Sequence, residues 1–258
     1  MAGALAFRFE ALFPGLGIRE GGAGFTLAPR CLADHSQCVV VSELFRGNLC
    51  AELGRRPARR IAAGEFLYHM GEAARSVYVV RGGLIKTGVV SPGGRELTLR
   101  IHRAGDILGE LCLCLGGRRD QAVAMEESEI VEIPLDLLLA RLRQDPHVAL
   151  DFVSAACAHL VQADERLQSL AFEPAMGRLA RTLLDLAEDL GEPTPQGPQI
   201  THRITQEELG RLISARREVV SGLLNQLRSA GLISYSRRGL VIVNRPALQS
   251  LLASLGET

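Results

Sequence analysis

Between residues 58 and 135 the apolar positions come in short runs, each closed by glycine. The runs are 60–61, 66–68, 76–81, 84–90, 96–102, 121–125 and 129–133, with Gly64, Gly71, Gly82-Gly83, Gly93-Gly94, Gly105 and Gly116-Gly117 between them. Evenly spaced short strands with glycine turns predict a β-barrel, sandwich or jelly roll. Gly82-Gly83 between two apolar strands predicts one hairpin and Pro92-Gly93-Gly94 a second. Ahead of this region, residues 1–30 show no clear period and read as an extension. A short helix is expected over 43–56, with Ser42 as its N-cap.

From Pro134 the apolar period lengthens to that of a helix. One helix is predicted over 135–143. A long one follows over 146–171, with Leu150, Val153, Cys157, Leu160, Leu167 and Ala171 on a heptad seam and Asp164 in its remaining place. So narrow a seam packs on a partner helix, so a dimer is expected. Asp164 either meets its two-fold mate, weakening the dimer by repulsion, or turns to solvent. A further helix covers 174–190 and ends at Gly191. Residues 192–198 hold three prolines and read as a loop joining helices.

Residues 200–245 read as a winged helix-turn-helix. Thr205 caps a helix over 206–213, with Glu208 completing a capping box and Leu209 and Ile213 buried. Ser214-Ala215 turns the chain into a second helix over 216–229. Its buried face is Val219, Val220, Leu223, Leu224 and Leu227, and Gly231 is its C-terminal cap. Strands at 232–234 and 240–243, around Arg237-Arg238-Gly239, form the wing. Arg217, Glu218 and Ser221, on the first turn of the second helix, are the candidates to reach base edges in a major groove. Arg216, Thr205 and Gln206 are placed for phosphates, which set register without reading sequence.

Composition narrows the class. The chain has 258 residues, 47% apolar and 22% charged, which excludes a wholly disordered chain, a collagen and a small disulfide scaffold. No apolar run reaches the ~18–20 residues of a membrane helix. No signal peptide is read at the N-terminus, so a cytoplasmic protein is expected. Net charge is zero, yet residues 199–245 carry eight basic side chains against three acidic ones. A basic module on an otherwise acidic chain is the charge footprint of a nucleic-acid binder. No nucleophile elbow, P-loop or HExxH helix is present, so an enzyme is not expected.

A β-roll, a long dimer helix and a C-terminal winged helix, in that order, resemble the CRP/FNR superfamily of transcription regulators over about residues 38–250. The resemblance is carried by Gly64-Glu-Phe-Leu-Tyr-His-Met-Gly-Glu72, Val77-Tyr-Val-Val-Arg-Gly-Gly-Leu-Ile-Lys86, Gly105-Asp-Ile-Leu-Gly-Glu-Leu111 and Arg216-Arg-Glu-Val-Val-Ser-Gly-Leu-Leu224. It implies an α+β chain with an N-terminal extension and Cys loop (1–40), a jelly-roll sensor domain like those that bind cyclic nucleotides (41–145), a dimerisation helix (146–172) and a winged helix-turn-helix (173–258). It implies a homodimer on palindromic double-stranded DNA of the TGTGA or TTGAT type, with RNA polymerase as a further partner. Arg217 and Glu218 take the base-reading positions, and Ser221 the position used in FNR-like proteins. Gly222 stands where many members carry a second reading arginine, which leaves the outer bases of the operator open.

The sensed signal has several readings. Members that bind a cyclic nucleotide carry Arg-Ser or Arg-Thr before an alanine. Here Asp120-Gln121 fill those places in Arg118-Arg-Asp-Gln-Ala122, and a carboxylate there repels phosphate, although Arg119 lies one residue away. FNR-like members hold an iron–sulfur cluster on four thiolates. By that resemblance Cys31, Cys38, Cys112 and Cys114 make a metal-binding, redox-sensing set for a 4Fe-4S cluster, with Cys50 in reserve. The layout departs from the family: a third loop cysteine is missing upstream, and Val131 fills the place of the β-roll ligand. Packing by free cysteines or a thiol–disulfide switch are the alternatives. A haem on His69, His102 or His159 is a further one.

Overall fold

A computed structural model describes residues 56–113, 116–195, 197–236, 239–242 and 244–256. Two four-stranded antiparallel sheets form the β-roll. One orders β1 (Arg59–Ile61), β8 (Ser128–Pro134), β3 (Ser76–Gly82) and β6 (Ile107–Leu108); the other orders β2 (Phe66–Tyr68), β7 (Gln121–Ala124), β4 (Ile85–Val90) and β5 (Glu96–His102). The predicted strands are present with ends shifted by a residue or two. The short strand Ile107–Leu108 was not among them, since two residues leave no alternation to detect.

Side-chain alternation divides the β-roll into two cores. Tyr78 and Val80 of β3 and Ile130 of β8 point between the sheets, where they meet Leu67 and Tyr68 of β2, Ile85 of β4 and Ala122 and Ala124 of β7. Val77 and Val79, with Val131 and Ile133, point to the opposite face. That face is covered by α1 (Leu135–Gln144) and α2 (Pro146–Phe172), through Leu138, Val148 and Ala155. Strands buried on both faces read as near-continuous apolar runs, which is why β3 and β8 stand out in the sequence. Val131 is fully buried core.

Helix α2 has 27 residues, a rod of about 40 Å. One stripe packs on the β-roll. The predicted seam lies elsewhere on the helix: Leu150, Val153, Leu160 and Leu167 are each more than half exposed, and Cys157 and Asp164 are exposed too. After α2 come α3 (Ala175–Leu190), α4 (Gln206–Ile213), α5 (Arg217–Ser229) and α6 (Arg245–Gly256). A third antiparallel sheet orders β11 (Ile233–Ser236), β12 (Gly239–Ile242), β10 (Gln199–Ile200) and β9 (Gly191–Glu192). The proline-rich stretch predicted to join helices is therefore the turn of a hairpin, with Gln199 opposite Glu192 and Ile200 opposite Gly191. The helix expected over 43–56 lies outside the described residues, apart from Arg56, which stands as a bend. Among the described residues no helix is long and apolar enough to cross a membrane.

Candidate nucleic-acid interface

The C-terminal module is built on one core: Leu179, Leu183 and Ala187 of α3, Leu209 and Ile213 of α4, Val220, Leu224 and Leu227 of α5, Ile233 of the wing and Leu248 of α6. Thr205 caps α4, its side chain accepting from the Glu208 N–H at 3.1 Å. The reciprocal half of the expected capping box is not made, because Glu208 Oε1 accepts from Lys86 and Arg211 and Oε2 has no hydrogen-bond partner. Ser214 ends α4 in the left-handed conformation, φ 53°, and the turn is closed by Ala215 N–H donating to the Gly210 carbonyl at 2.9 Å. A Cβ on Gly210 would lie 2.7 Å from the Ala215 carbonyl oxygen, so the angle between α4 and α5 requires glycine there. The glycine inside a helical pattern was the available signal, since it costs about 1 kcal/mol against alanine without a packing reason.

The six DNA-contact candidates fall at the N-termini of two successive helices. Arg216 is the N-cap of α5 in extended conformation; Arg217 and Glu218 open the helix exposed, and Ser221 follows half-buried one turn on. Thr205 and Gln206 stand at the N-terminus of α4. Val219, read as part of the buried face, is 45% exposed, whereas Val220, Leu224 and Leu227 of α5 are buried in the core and Leu223 packs half-buried against it. Gly222 is exposed, and a Cβ built on it meets nothing within 4 Å. Of the basic residues, Arg211 and Arg245 are spent on ion pairs within the protein, with Glu96, Glu207 and Glu208, and with Glu188. Arg203, Arg216, Arg217 and Arg228 are exposed and carry no ion pair among the described residues, so they supply the outward positive field. Arg237 and Arg238 lie outside the described residues.

This module is tied to the β-roll by polar contacts that the sequence did not reveal. Lys86 of β4 pairs with Glu208 of α4 at 2.5 Å, both side chains 14% exposed. Arg211 reaches Glu96 at 3.0 Å, His202 meets Glu126 at 3.1 Å, and Arg103 meets Asp189 at 3.2 Å. Arg166 of α2 donates to the Thr98 and Leu99 carbonyls of β5 and to the Leu212 carbonyl, at 2.5–2.6 Å. Arg178 of α3 donates to the Ile213 carbonyl at 2.9 Å. Two arginines thus satisfy the last carbonyls of α4, where a cation also opposes the negative end of the helix dipole. Burial pulls the Arg166 pKa down, and Arg100 adds to that.

The cofactor candidates fall differently. Cys31, Cys38, Cys50 and Cys114 lie outside the described residues; Cys112 is part of the 3-10 turn Glu110–Leu113, its side chain not described. Of the histidines, His69 stacks on Phe66 with ring centres 4.2 Å apart. His102 is core: 3% exposed, bonded to Thr87 Oγ1 at 3.0 Å, with its pKa pushed down to about 4, first by burial and then by Arg100. It is a neutral buried side chain with one ring nitrogen already engaged, which disfavours it as a haem ligand. His159 of α2 pairs with Glu110 of the 3-10 turn at 3.1 Å. Burial works to raise the Glu110 pKa, but the His159 hydrogen bond and charge outweigh it and hold the carboxyl below its usual range. Arg119, the candidate for a shifted phosphate pocket, is exposed; its neighbour Arg118 turns inward.

Comparison with known proteins bears on both halves. A family described as Crp-like helix-turn-helix domain matches residues 177–251, and one described as cyclic nucleotide-binding domain matches residues 58–145. The chain is 30% identical over 179 residues to the cAMP-activated global transcriptional regulator CRP of Salmonella typhimurium, covering 68% of this chain and 84% of that one. It is 29% identical over 189 residues to the anaerobic regulatory protein of Bacillus subtilis, covering 72% and 79%. Among solved structures it is similar to FixK2 from Bradyrhizobium japonicum, with TM-score 0.69 and 23% identity over 76% of this chain and 98% of that one. A CRP-family transcriptional regulator from Thermus thermophilus gives TM-score 0.65 and 28% identity over 77% and 98%.

Proposed function

The chain belongs to the CRP/FNR family of transcription regulators, which are not enzymes, and we propose that it acts in the cytoplasm as a homodimer that reads a palindromic operator in double-stranded DNA. The observation that carries this reading is the exposed first turn of α5, with Arg217 and Glu218 unencumbered on a helix buttressed by α3 and α4. Arginine grips guanine O6 and N7 with two hydrogen bonds, and glutamate accepts from cytosine N4. The exposed apolar seam of α2 supports the dimer, which sets two recognition helices against half-sites one DNA turn apart. RNA polymerase is the natural further partner of such a regulator. The test is operator selection followed by fluorescence anisotropy. Arg217→Ala is expected to cost about 1–3 kcal/mol and to relax preference at one base position. Unchanged preference in that variant would overturn the assignment of Arg217.

For the signal, we propose a redox- or gas-responsive iron–sulfur cluster of the 4Fe-4S type on Cys31, Cys38, Cys112 and Cys114. Four thiolates are the donor set such clusters take. The turn that carries Cys112 is tied to α2 through Glu110 and His159, which supports a route from those cysteines to the dimer helix. The name of the Bacillus subtilis relative, an anaerobic regulatory protein, agrees with that class of signal. A bound cluster would supply a change of charge and ligand geometry with oxygen or redox state. Protein purified without oxygen is expected to be coloured and to contain iron and acid-labile sulfide. Cys112→Ser with Cys114→Ser is expected to lose both while remaining folded. Colourless, iron-free protein would return the signal to a small organic effector, a cyclic nucleotide or a thiol switch.

A further inference from the structure

Inside the β-roll a cation sits where the two sheets face each other. Arg118 is 6% exposed. Its Nη1 donates to the Gly109 carbonyl at 3.1 Å and its Nη2 to the Ser76 carbonyl at 2.6 Å. Its guanidinium carbon lies 4.1 Å from the centre of the Tyr68 ring and 5.2 Å from that of Tyr78, and the two rings stack at 5.9 Å. Tyr68 comes from one sheet and Tyr78 from the other, while Gly109 opens the segment that leads into the 3-10 turn. Gly109 has φ +81°, and a Cβ on it would collide with Arg118 Nη1, so the backbone is shaped for this close approach. Three separate segments, β2, β3 and the stretch at Gly109, therefore converge on one planar cation.

Burying a charge costs free energy unless hydrogen bonds and an opposing field replace its water. Here two carbonyl dipoles lie against the fork of the guanidinium and two tyrosine faces present their negative quadrupoles, an interaction that strengthens when desolvated. Asp120, two residues on, adds negative charge: together with burial it pushes the Tyr68 hydroxyl pKa up, while Arg118 works the other way. The same surroundings disfavour a phosphate.

We propose that this cradle is a planar-cation site whose resident ligand is the chain's own Arg118, so that the two sheets and the Gly109 segment are held together by that side chain rather than by a cyclic nucleotide. A guanidinium fits because it is flat, carries in-plane donors and is weakly hydrated; an ammonium meets the charge requirement but has no fork to span the two carbonyls.

The test uses the full chain and three readouts. Arg118→Ala is expected to lower the melting temperature by roughly 5–10 °C. Millimolar methylguanidinium is expected to restore much of that loss and to bind the variant saturably, whereas tetramethylammonium at equal ionic strength does neither. Arg118→Lys is expected to stay destabilised. In the wild-type chain a fluorescent cyclic AMP analogue is expected to show no saturable binding. Failure of methylguanidinium to rescue a folded Arg118→Ala variant, wild-type stability in Arg118→Lys, or micromolar binding of the cyclic AMP analogue by the wild type would each overturn the proposal. If Arg118→Ala does not fold, the lysine variant and the nucleotide titration still decide. All three readouts concern the β-roll, so none depends on whether the chain binds DNA.

Discussion

The pair Lys86–Glu208 joins a sensor strand to the first helix of the DNA-reading module, and its strength can be worked out from its surroundings. The two charges are 2.5 Å apart and each side chain is 14% exposed. At an effective dielectric near 20, charge centres about 4 Å apart attract by about 4 kcal/mol. Desolvation of both ions takes back much of this, and Arg211 shares the same Glu208 oxygen, so part of the loss on removing Lys86 is compensated. A coupling energy of about 2 kcal/mol remains as the expected value. Glu208→Gln leaves the Lys86 ammonium buried without its counter-charge and is expected to cost about 3 kcal/mol. Lys86→Met is expected to cost less, about 1–2 kcal/mol, because Arg211 still neutralises Glu208. The assay is a double-mutant cycle by urea unfolding at fixed protein concentration and neutral pH, which holds the dimer equilibrium constant. Because the pair is largely enclosed, the coupling should persist when salt is raised. A coupling below about 0.5 kcal/mol would refute the reasoning, since that is the value of an exposed pair that docks nothing.

His102 is held neutral in the fold with a pKa of about 4, so the unfolded chain takes up a proton first as pH falls. Its contribution to stability is therefore complete above about pH 6.5 and is lost as pH drops toward 4, by about 3 kcal/mol in all. The pH slope of unfolding in this window should flatten in His102→Asn, and an unchanged slope would show that other groups carry it. Gly222→Arg meets open space and adds a cation to the recognition helix. It is expected to tighten DNA binding and steepen the salt dependence by about one unit of slope, with folding undisturbed. Leu160 is 63% exposed on the helix seam, so Leu160→Glu should shift sedimentation toward monomer and weaken operator binding by about 100-fold or more. A dimer unaffected by that change would place the partner surface elsewhere.

Much of the fold was legible because the signals are local. Alternation and glycine turns marked the strands, and the heptad spacing of Leu150, Val153, Cys157 and Leu160 marked a face that the protomer indeed leaves exposed. The helix-turn-helix was legible for the same reason: a capped helix, a two-residue turn and a second helix place Arg217 and Glu218 on an exposed first turn by spacing alone. Errors arose where a distant group competed. The Glu208 half of the capping box is not made because Lys86, 122 residues away, takes the Glu208 carboxylate, while the Thr205 half is in place. The proline-rich stretch became a hairpin turn because its flanks complete a sheet with the wing. Val219 fits a helical apolar face, but the core has room only for its neighbours.

By itself, then, the sequence determined the order of elements, the family pattern and the recognition turn, all set by periods of two and 3.6 residues and by backbone preferences acting over a few positions. Tertiary structure alone decided which of several like residues does what. Arg118 turns into the β-roll while Arg119 faces solvent, and His102 is buried neutral while His159 pairs with Glu110. Arg166 reaches from the long helix to the end of α4. Charge and hydrogen bonding take their strength from desolvation and from partners far along the chain, and neither is written in local spacing.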